Sequence, residues 1–255
     1  MKIDDIKTIG IIGGGIMGQG IGQSAILAGY KVIIRDLTDE IVAKTKDSII
    51  NGRYGLAGGV QRGKFTQEQV DKAAALLSVT TKVEDLKDCD FVIEAIGGPP
   101  GQMENKDLKL KVWKELDAVV KKEAIFASNT SFYTIADIAA VTNRKDRFLG
   151  MHFFSPASIM KGCEVIYTAE VLPEVVDIIM ELGRKMGKLT VKVKDVPGDT
   201  GFIGNRIYRV LTMEAMKIVQ EGIATAEDVD NVMMTGFNWP AGPLGMGKGA
   251  RGGWK

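Results

Sequence analysis

Short apolar runs alternate with longer amphipathic stretches over most of the chain. Strands are predicted at 8–12, 31–35, 91–96, 124–127, 148–153 and 189–193, and helices at 21–28, 38–50, 104–120 and 173–186. The glycine-rich stretch 51–63 is predicted to be a loop, and 65–69 the capped start of a further helix. Strands that alternate with helices build a mostly parallel sheet with helices on its faces. The pattern predicts an α/β fold that opens with a βαβ unit.

The alternation stops at the segment 195–201, which contains proline and glycine. Beyond it, the apolar spacing predicts a long helix at 202–220, and the residues from Thr225 to Asp228 resemble a capping box. No later strand is predicted. We therefore expect a Rossmann-type, doubly wound, mostly parallel sheet domain at 1–197 and a small all-helical domain at 198–255.

Composition narrows the class of protein. The chain of 255 residues is 45% hydrophobic and 25% charged, which suits a globular core. Its net charge of +1 gives no electrostatic reason to expect a nucleic acid or a membrane surface as partner. Cys89 and Cys163 lack metal-ligand spacing, so we expect no metal and no disulfide framework. Without an apolar run near the ~20 residues of a membrane span, we expect a cytoplasmic protein.

A dinucleotide-binding motif follows the first predicted strand. Gly13, Gly15 and Gly18 match G-x-G-x-x-G and open a predicted helix, which is the context that the motif requires. The first glycine permits a tight turn, the second lets backbone approach a pyrophosphate, and the third allows close packing of the helix. Ile16 and Met17 fill the two variable positions and complete the predicted cofactor loop.

Asp36 ends the second predicted strand, about 20 residues past the glycines, where a carboxylate accepts the ribose hydroxyls of NAD and repels the extra phosphate of NADP. Arg35 is the counter-argument, because an arginine can pair with that phosphate. Neighbouring residues of a strand point to opposite faces, which favours NAD. FAD, or a glycine turn that binds nothing, stays open as an alternative.

His152 is the single histidine of the chain and ends an apolar run. Ligands of doubly wound sheets gather at the carboxyl ends of strands, where an imidazole can move a proton while NAD takes a hydride. From position alone, a catalytic ring and a packed structural ring are equally good interpretations.

Five segments come in one order: 18–21 (GQGI), 92–95 (VIEA), 128–131 (SNTS), 151–154 (MHFF) and 201–206 (GFIGNR). Taken together, they make the chain similar to the L-3-hydroxyacyl-CoA dehydrogenases from about Ile9 to Pro243. The resemblance implies NAD-dependent oxidation of (S)-3-hydroxyacyl-CoA to 3-ketoacyl-CoA, or the reverse, and a homodimer formed through the helical domain.

The resemblance also implies roles for individual residues. His152 would be the acid/base and Glu164 the carboxylate that orients it. Ser131 and Asn205 would bind the reacting oxygen of the substrate. A carboxylate that accepts the second N–H of an imidazole fixes its tautomer and stabilises the imidazolium, so the implied pairing is chemically sensible.

Two further pairs carry weaker implications. Glu104 and Lys109 correspond to a helix start near the cofactor, although residues five apart do not form a helical ion pair. Arg62 and Lys64 fall where the family meets CoA phosphates, and a solvated surface is the competing interpretation.

Three departures from the family pattern bear on substrate and assembly. An insertion is expected at 97–103, a second one at Asp199 and Thr200, and the glycine-rich end at 245–255 replaces the helices that follow in the family. The altered regions keep two alternatives open, a dehydrogenase of a free β-hydroxy acid and a non-catalytic dinucleotide-binding relative.

Overall fold

The structure of the protein is a computed structural model, which describes residues 1–97, 104–198 and 201–246. The chain forms two compact units, Met1–Thr200 and Gly201–Lys255. The division of roles predicted for 1–197 and 198–255 stays a prediction. The expected insertions, from 98 onward and at 199–200, lie outside the described residues, as does the chain end from 247.

The first unit is built on a single sheet. Its strands are β1 (Thr8–Ile12), β2 (Lys31–Arg35), β3 (Leu77–Thr80), β4 (Phe91–Glu94), β5 (Ile125–Ser128), β6 (Phe148–Phe153), β7 (Gly162–Tyr167) and β8 (Leu189–Lys194). In the described part of the chain they follow the order β3-β2-β1-β4-β5-β6-β7-β8. Only β6 and β7 pair antiparallel among these strands, so the predicted mostly parallel sheet is confirmed.

Helices connect the strands of the first unit and make up the second. They are α1 (Ile16–Leu27), α2 (Asp39–Asn51), α3 (Leu56–Gln61), α4 (Gln67–Ala74), α5 (Lys106–Val119), α6 (Ile135–Ala139), α7 (Pro173–Lys185), α8 (Gly204–Gln220) and α9 (Ala226–Gly236). Capping explains several starts, because the side chains of Thr38, Thr66 and Thr225 each accept a backbone N–H from the first turn of their helix.

The central strands carry the core. Every residue of β4, β5 and β6 is buried, since helices cover both faces of a parallel sheet. β1 pairs with β2 on one side and with β4 on the other, so the direction of winding reverses between β1 and β4. In doubly wound folds, ligands bind outside the carboxyl ends of the strands at such a switch point.

Local structure differs from the prediction at α3, β3 and β7, and the short helix α6 was not predicted either. The stretch 51–63 contains the short helix α3, because Leu56 is fully buried and anchors its first turn. The edge strand β3 was not predicted, since only its first residue is fully buried and its apolar signal is weak. β7 was not predicted as a strand of its own, and its antiparallel placement follows from pairing with β6.

The described part of the second unit contains α8 and α9, and its residues 243–246 are helical as well. Ala215 is the buried residue of α8, and no residue of α9 is fully buried. An apolar groove between the helices is lined by Ile207, Val210 and Met233, among others. The predicted helical character of this unit is confirmed for residues 201–246.

Candidate active site

The glycine turn joins β1 to α1 with the geometry that a pyrophosphate needs. Gly13 has φ +100°, a conformation that residues with a side chain rarely adopt. A Cβ on Gly18 would lie 1.8 Å from the Gly13 carbonyl oxygen, so helix and turn touch there. A Cβ on Gly15 would meet nothing within 4 Å, which leaves room beside the N-terminus of α1 for a phosphate group.

Side chains hold the turn at Gly14. The Asp36 carboxylate accepts the Gly14 N–H at 2.6 Å. On the other side of the same residue, the Gly14 carbonyl lies 2.9 Å from Thr45 Oγ1 and 2.8 Å from Gln19 Nε2. Asp36, which would accept the ribose hydroxyls, is therefore hydrogen-bonded to the glycine turn, which would bind the phosphates.

Arg35 is hydrogen-bonded to a backbone carbonyl of the first unit. Its Nε donates to the Thr81 carbonyl at 3.3 Å, next to the edge strand β3. The residues present therefore fit NAD at the ribose position, and an arginine that would favour a 2′-phosphate is engaged elsewhere.

His152 and Glu164 form a buried pair. They are directly opposite each other on the antiparallel strands β6 and β7, where facing side chains come into contact. Nδ1 of His152 lies 2.6 Å from Oε2 of Glu164, with the two residues 6% and 2% exposed. Pairing at Nδ1 selects the tautomer that carries its lone pair on Nε2.

Ser131 lies in the turn after β5, the neighbour of β6 in the sheet. Glu104 Oε1 accepts both the Ser131 N–H at 2.9 Å and its hydroxyl at 3.0 Å. The two ends of β5 and β6 are also joined directly, because Asn129 Oδ1 accepts the Phe153 N–H at 2.8 Å. Ser131, just after β5, and His152, near the end of β6, thus belong to adjacent strands at the same edge of the sheet.

Lys109 pairs with two glutamates beside this turn. Its Nζ lies 2.5 Å from Glu94 Oε1 and 3.1 Å from Glu104 Oε2. The spacing of Glu104 and Lys109 excluded a helical ion pair, yet they do pair, because Glu104 precedes the first residue of α5. Burial would raise the pKa of Glu104, but Lys109 and the Ser131 N–H outweigh it and hold that pKa below its usual value.

Glu94 belongs to this cluster and received no role in the sequence analysis. Its signal was a carboxylate at the end of an apolar strand, inside the quoted segment 92–95. It is fully buried, and buried carboxylates persist when they are paired and hydrogen-bonded.

None of the contacts described above includes the remaining predicted residues. Arg62 and Lys64 are exposed and follow α3 in the first unit. Asn205 lies in the first turn of α8, in the second unit. Ile16 begins α1 and is 70% exposed, with Met17 next to it. Their roles in binding stay predictions.

Metal-binding clusters and membrane-spanning helices are absent from the part of the chain that the structure describes. In residues 1–97, 104–198 and 201–246, no group of three or more histidine, cysteine or acidic side chains is placed to hold a metal ion. Within the same residues, no helix has both the length and the apolar character that crossing a bilayer demands.

A dinucleotide turn at the switch point and a carboxylate-held imidazole at the same edge of the sheet are typical of Rossmann-type NAD-dependent dehydrogenases. Comparison with known proteins narrows this class. Residues 8–196 match the 3-hydroxyacyl-CoA dehydrogenase NAD binding domain, and residues 201–250 match the C-terminal domain of the same family. The chain belongs to the 3-hydroxyacyl-CoA dehydrogenase family.

Individual relatives agree with this assignment. A probable 3-hydroxybutyryl-CoA dehydrogenase of Bacillus subtilis is 38% identical over 95% of this chain and 80% of its own length. The human mitochondrial hydroxyacyl-coenzyme A dehydrogenase is 36% identical over 94% of this chain and 74% of its length. The crystal structure of (S)-3-hydroxybutyryl-CoA dehydrogenase from Ralstonia eutropha superimposes with a TM-score of 0.86 at 37% identity, covering 94% of this chain and 81% of that one.

These matches confirm the predicted family, the Rossmann-type fold with its helical second domain, the dehydrogenase class and NAD as its cofactor.

Proposed function

We propose that the protein interconverts (S)-3-hydroxyacyl-CoA and 3-ketoacyl-CoA with NAD, using His152 as the acid/base. The observation that carries the proposal is the contact of 2.6 Å between His152 Nδ1 and Glu164 Oε2 at the carboxyl edge of the sheet. Family membership supports the substrate class, since the relatives at 36% and 38% identity are named as hydroxyacyl-CoA and hydroxybutyryl-CoA dehydrogenases.

The pair supports a specific proton path. With its Nδ1–H donated to Glu164, neutral His152 presents the Nε2 lone pair to the substrate hydroxyl. As the hydroxyl of C3 becomes a carbonyl, its proton moves to Nε2 and the ring becomes an imidazolium. The Glu164 carboxylate stabilises that positive charge, and in ketone reduction the same proton returns to the oxygen. NAD, when bound, supplies the acceptor or donor for the hydride on C3.

Ser131 supports the orientation of the substrate. Because its hydroxyl proton is directed to Glu104 at 3.0 Å, the lone pairs of Ser131 Oγ are available to accept the hydroxyl of the substrate. Asn205 is the second candidate for the same oxygen, since its side-chain amide can donate to a developing carbonyl. Both assignments belong to the proposal.

The CoA portion of the substrate would meet basic side chains on the first unit. Arg62 and Lys64 are exposed and carry the charges that a phosphate requires. Their substitution by Gln should raise the KM for a CoA ester and leave kcat nearly unchanged, as expected for groups that bind substrate and transition state equally.

We also infer a homodimer in a reducing compartment such as the cytoplasm. Ile207, Val210 and Met213 of α8 are each more than half exposed, an apolar face that a second copy of the chain would cover. Cys89 and Cys163 are free and buried, and burial raises the pKa of the Cys89 thiol to about 12. Light scattering tests the dimer, and cell fractionation tests the compartment.

The test of the proposed function is a turnover assay that follows NADH absorbance. Purified protein is given NADH with acetoacetyl-CoA, and in parallel NADH with free acetoacetate and NADPH with acetoacetyl-CoA. Consumption of NADH with the CoA ester alone is the expected result. Turnover of free acetoacetate would instead establish a β-hydroxy acid dehydrogenase. NADH binding without turnover of any substrate would establish a non-catalytic relative.

A further inference from the structure

Glu94 is the last residue of β4, and its carboxylate has a donor at each oxygen. Oε1 lies 2.5 Å from Lys109 Nζ and accepts the Ile96 N–H at 2.6 Å. Oε2 accepts the Ser128 hydroxyl at 2.6 Å. The carboxylate is fully buried, so these contacts fix it in one position at the end of the strand.

Lys109 links the Glu94 carboxylate to that of Glu104. Its side chain is 1% exposed, and its ammonium also donates to the Ile96 carbonyl at 2.9 Å. The ammonium lies between the two carboxylates, with a hydrogen bond to Glu94 Oε1 and an ion-pair contact of 3.1 Å to Glu104 Oε2.

Glu104 links Lys109 to Ser131. It precedes α5 in a segment without regular secondary structure, so no helical hydrogen bond holds its backbone. One of its oxygens pairs with Lys109, and the other accepts both the N–H and the hydroxyl of Ser131. The Tyr133 hydroxyl holds the Glu104 backbone carbonyl at 2.6 Å, and Lys109 is the charged partner of the Glu104 carboxylate. The place of that carboxylate therefore depends in part on the lysine that Glu94 anchors.

We propose that Glu94 is a positioning residue that fixes the Ser131 hydroxyl for the substrate through Lys109 and Glu104. The inference rests on the proposed function, in which Ser131 contacts the reacting oxygen. Glu94 itself touches neither substrate nor cofactor in this account. Without its charge, Lys109 retains a single carboxylate partner, Glu104, and draws it away from Ser131.

A double-mutant cycle separates positioning from a general structural role. The variants are Glu94→Gln, Ser131→Ala and the two combined, each assayed for kcat/KM with acetoacetyl-CoA at saturating NADH. Glu94→Gln should lower kcat/KM by about 10-fold, because small misplacements of a substrate-contacting group have effects of this size. In the Ser131→Ala background it should lower kcat/KM by less than about 2-fold. An equal drop in both backgrounds would overturn the proposal.

The matched control is Asp117→Asn, which breaks another nearly buried ion pair of the same unit, Arg144 with Asp117. It should destabilise the fold and leave kcat/KM within about 2-fold when assayed below the unfolding transition. A drop equal to that of Glu94→Gln would mean that loss of stability alone explains the effect, and would overturn the proposal.

A second readout does not depend on turnover. The Ser131 N–H is bonded to Glu104, so its hydrogen exchange should be about 10-fold faster in Glu94→Gln and unchanged in Asp117→Asn. Unchanged exchange in Glu94→Gln would refute the positioning role. Should that variant fail to fold, Glu94→Met combined with Lys109→Met replaces the pair by apolar side chains and is read in the same way.

The experiments distinguish failure of the proposed function from failure of the positioning role of Glu94. Absence of acetoacetyl-CoA turnover by the unmodified protein refutes the proposed function, while the exchange rate of the Ser131 N–H still decides whether Glu94 positions that residue.

Discussion

Buried charged side chains lie at both ends of the strands β5 and β6, and they have different kinds of partners at the two ends. At the carboxyl end lie His152 with Glu164, and Lys109 between two glutamates. At the amino end, Arg144 donates to Asp117 Oδ1 at 2.7 Å and to backbone carbonyls that include Lys121 O at 2.8 Å. Its guanidinium also stacks 3.9 Å from the centre of the Phe126 ring.

The difference lies in what the partners are. Arg144 donates most of its hydrogen bonds to carbonyls around the C-terminal end of α5, where a cation also complements the helix dipole. These contacts hold one helix end and need no ligand. The carboxyl end instead pairs side chains with one another, which orients an imidazole and a hydroxyl. We infer that the amino end serves stability and the carboxyl end serves chemistry.

The largest expected effect is on stability, from the amino end. Asp117→Asn should lower the free energy of unfolding by about 3 kcal/mol, because removing one partner leaves a nearly buried charge uncompensated. Urea denaturation measures the change. As a control, Glu68→Gln breaks an ion pair whose side chains are about three-quarters exposed, and should change the value by less than about 1 kcal/mol. Equal effects of the two variants would erase the contrast with surface pairs.

The Asp117 effect should depend on pH in one direction. Burial would raise the pKa of Asp117, but the Asn143 N–H and Arg144 outweigh it and keep that pKa below its usual value. A carboxyl group whose pKa is lower in the folded state stabilises the fold at pH values above its pKa in the unfolded chain, about 3.9. This contribution is lost as the pH falls through the pKa of the folded state. The stability gap between the unmodified protein and Asp117→Asn should therefore be full near neutrality and narrow below about pH 4. A gap that widens in acid would contradict the assignment.

At the carboxyl end, Glu164→Gln should act on catalysis. The side-chain amide of the glutamine can still accept a hydrogen bond from His152, but it carries no negative charge to balance the imidazolium. We expect kcat to fall about 30-fold, since a hydrogen bond to a charged group contributes about 2 kcal/mol. Steady-state kinetics with acetoacetyl-CoA measures it. Glu170→Gln, at a glutamate whose side chain is 57% exposed, is the control and should leave kcat unchanged. A kcat of Glu164→Gln within twofold of the unmodified protein would exclude this role.

The smallest expected effect concerns the cofactor turn. Thr45→Val keeps the shape of the side chain and removes the hydroxyl that lies 2.9 Å from the Gly14 carbonyl. The Kd for NADH, followed by fluorescence, should rise about 5-fold, the equivalent of one net hydrogen bond. Thr142→Val removes another buried hydroxyl, bonded to Ala139 O, and should leave the Kd unchanged. If both variants bind NADH equally well, the Gly14 contact does not shape the cofactor site.

The cofactor turn at the carboxyl end of the strands was easier to predict from the sequence than the ion pair at their amino end. Glycine spacing and strand context revealed the turn, because Gly13 and Gly18 are required by local geometry. The amino end was invisible, since the main partners of Arg144 are backbone carbonyls, which every sequence contains. Glu94 and Lys109 lie 15 residues apart, and only the fold brings them together. The helix α3 was missed because its glycine-rich sequence has a low helix propensity and Leu56 is held by tertiary packing.

Whether His152 moves the proton is decided by a comparison of the unmodified protein with His152→Gln. The kcat for acetoacetyl-CoA reduction and the Kd for NADH are measured on both. We predict a kcat lower by about 100-fold or more, the usual contribution of a general acid/base, together with an unchanged Kd. Equal kcat values in two folded proteins that bind NADH alike would contradict the account.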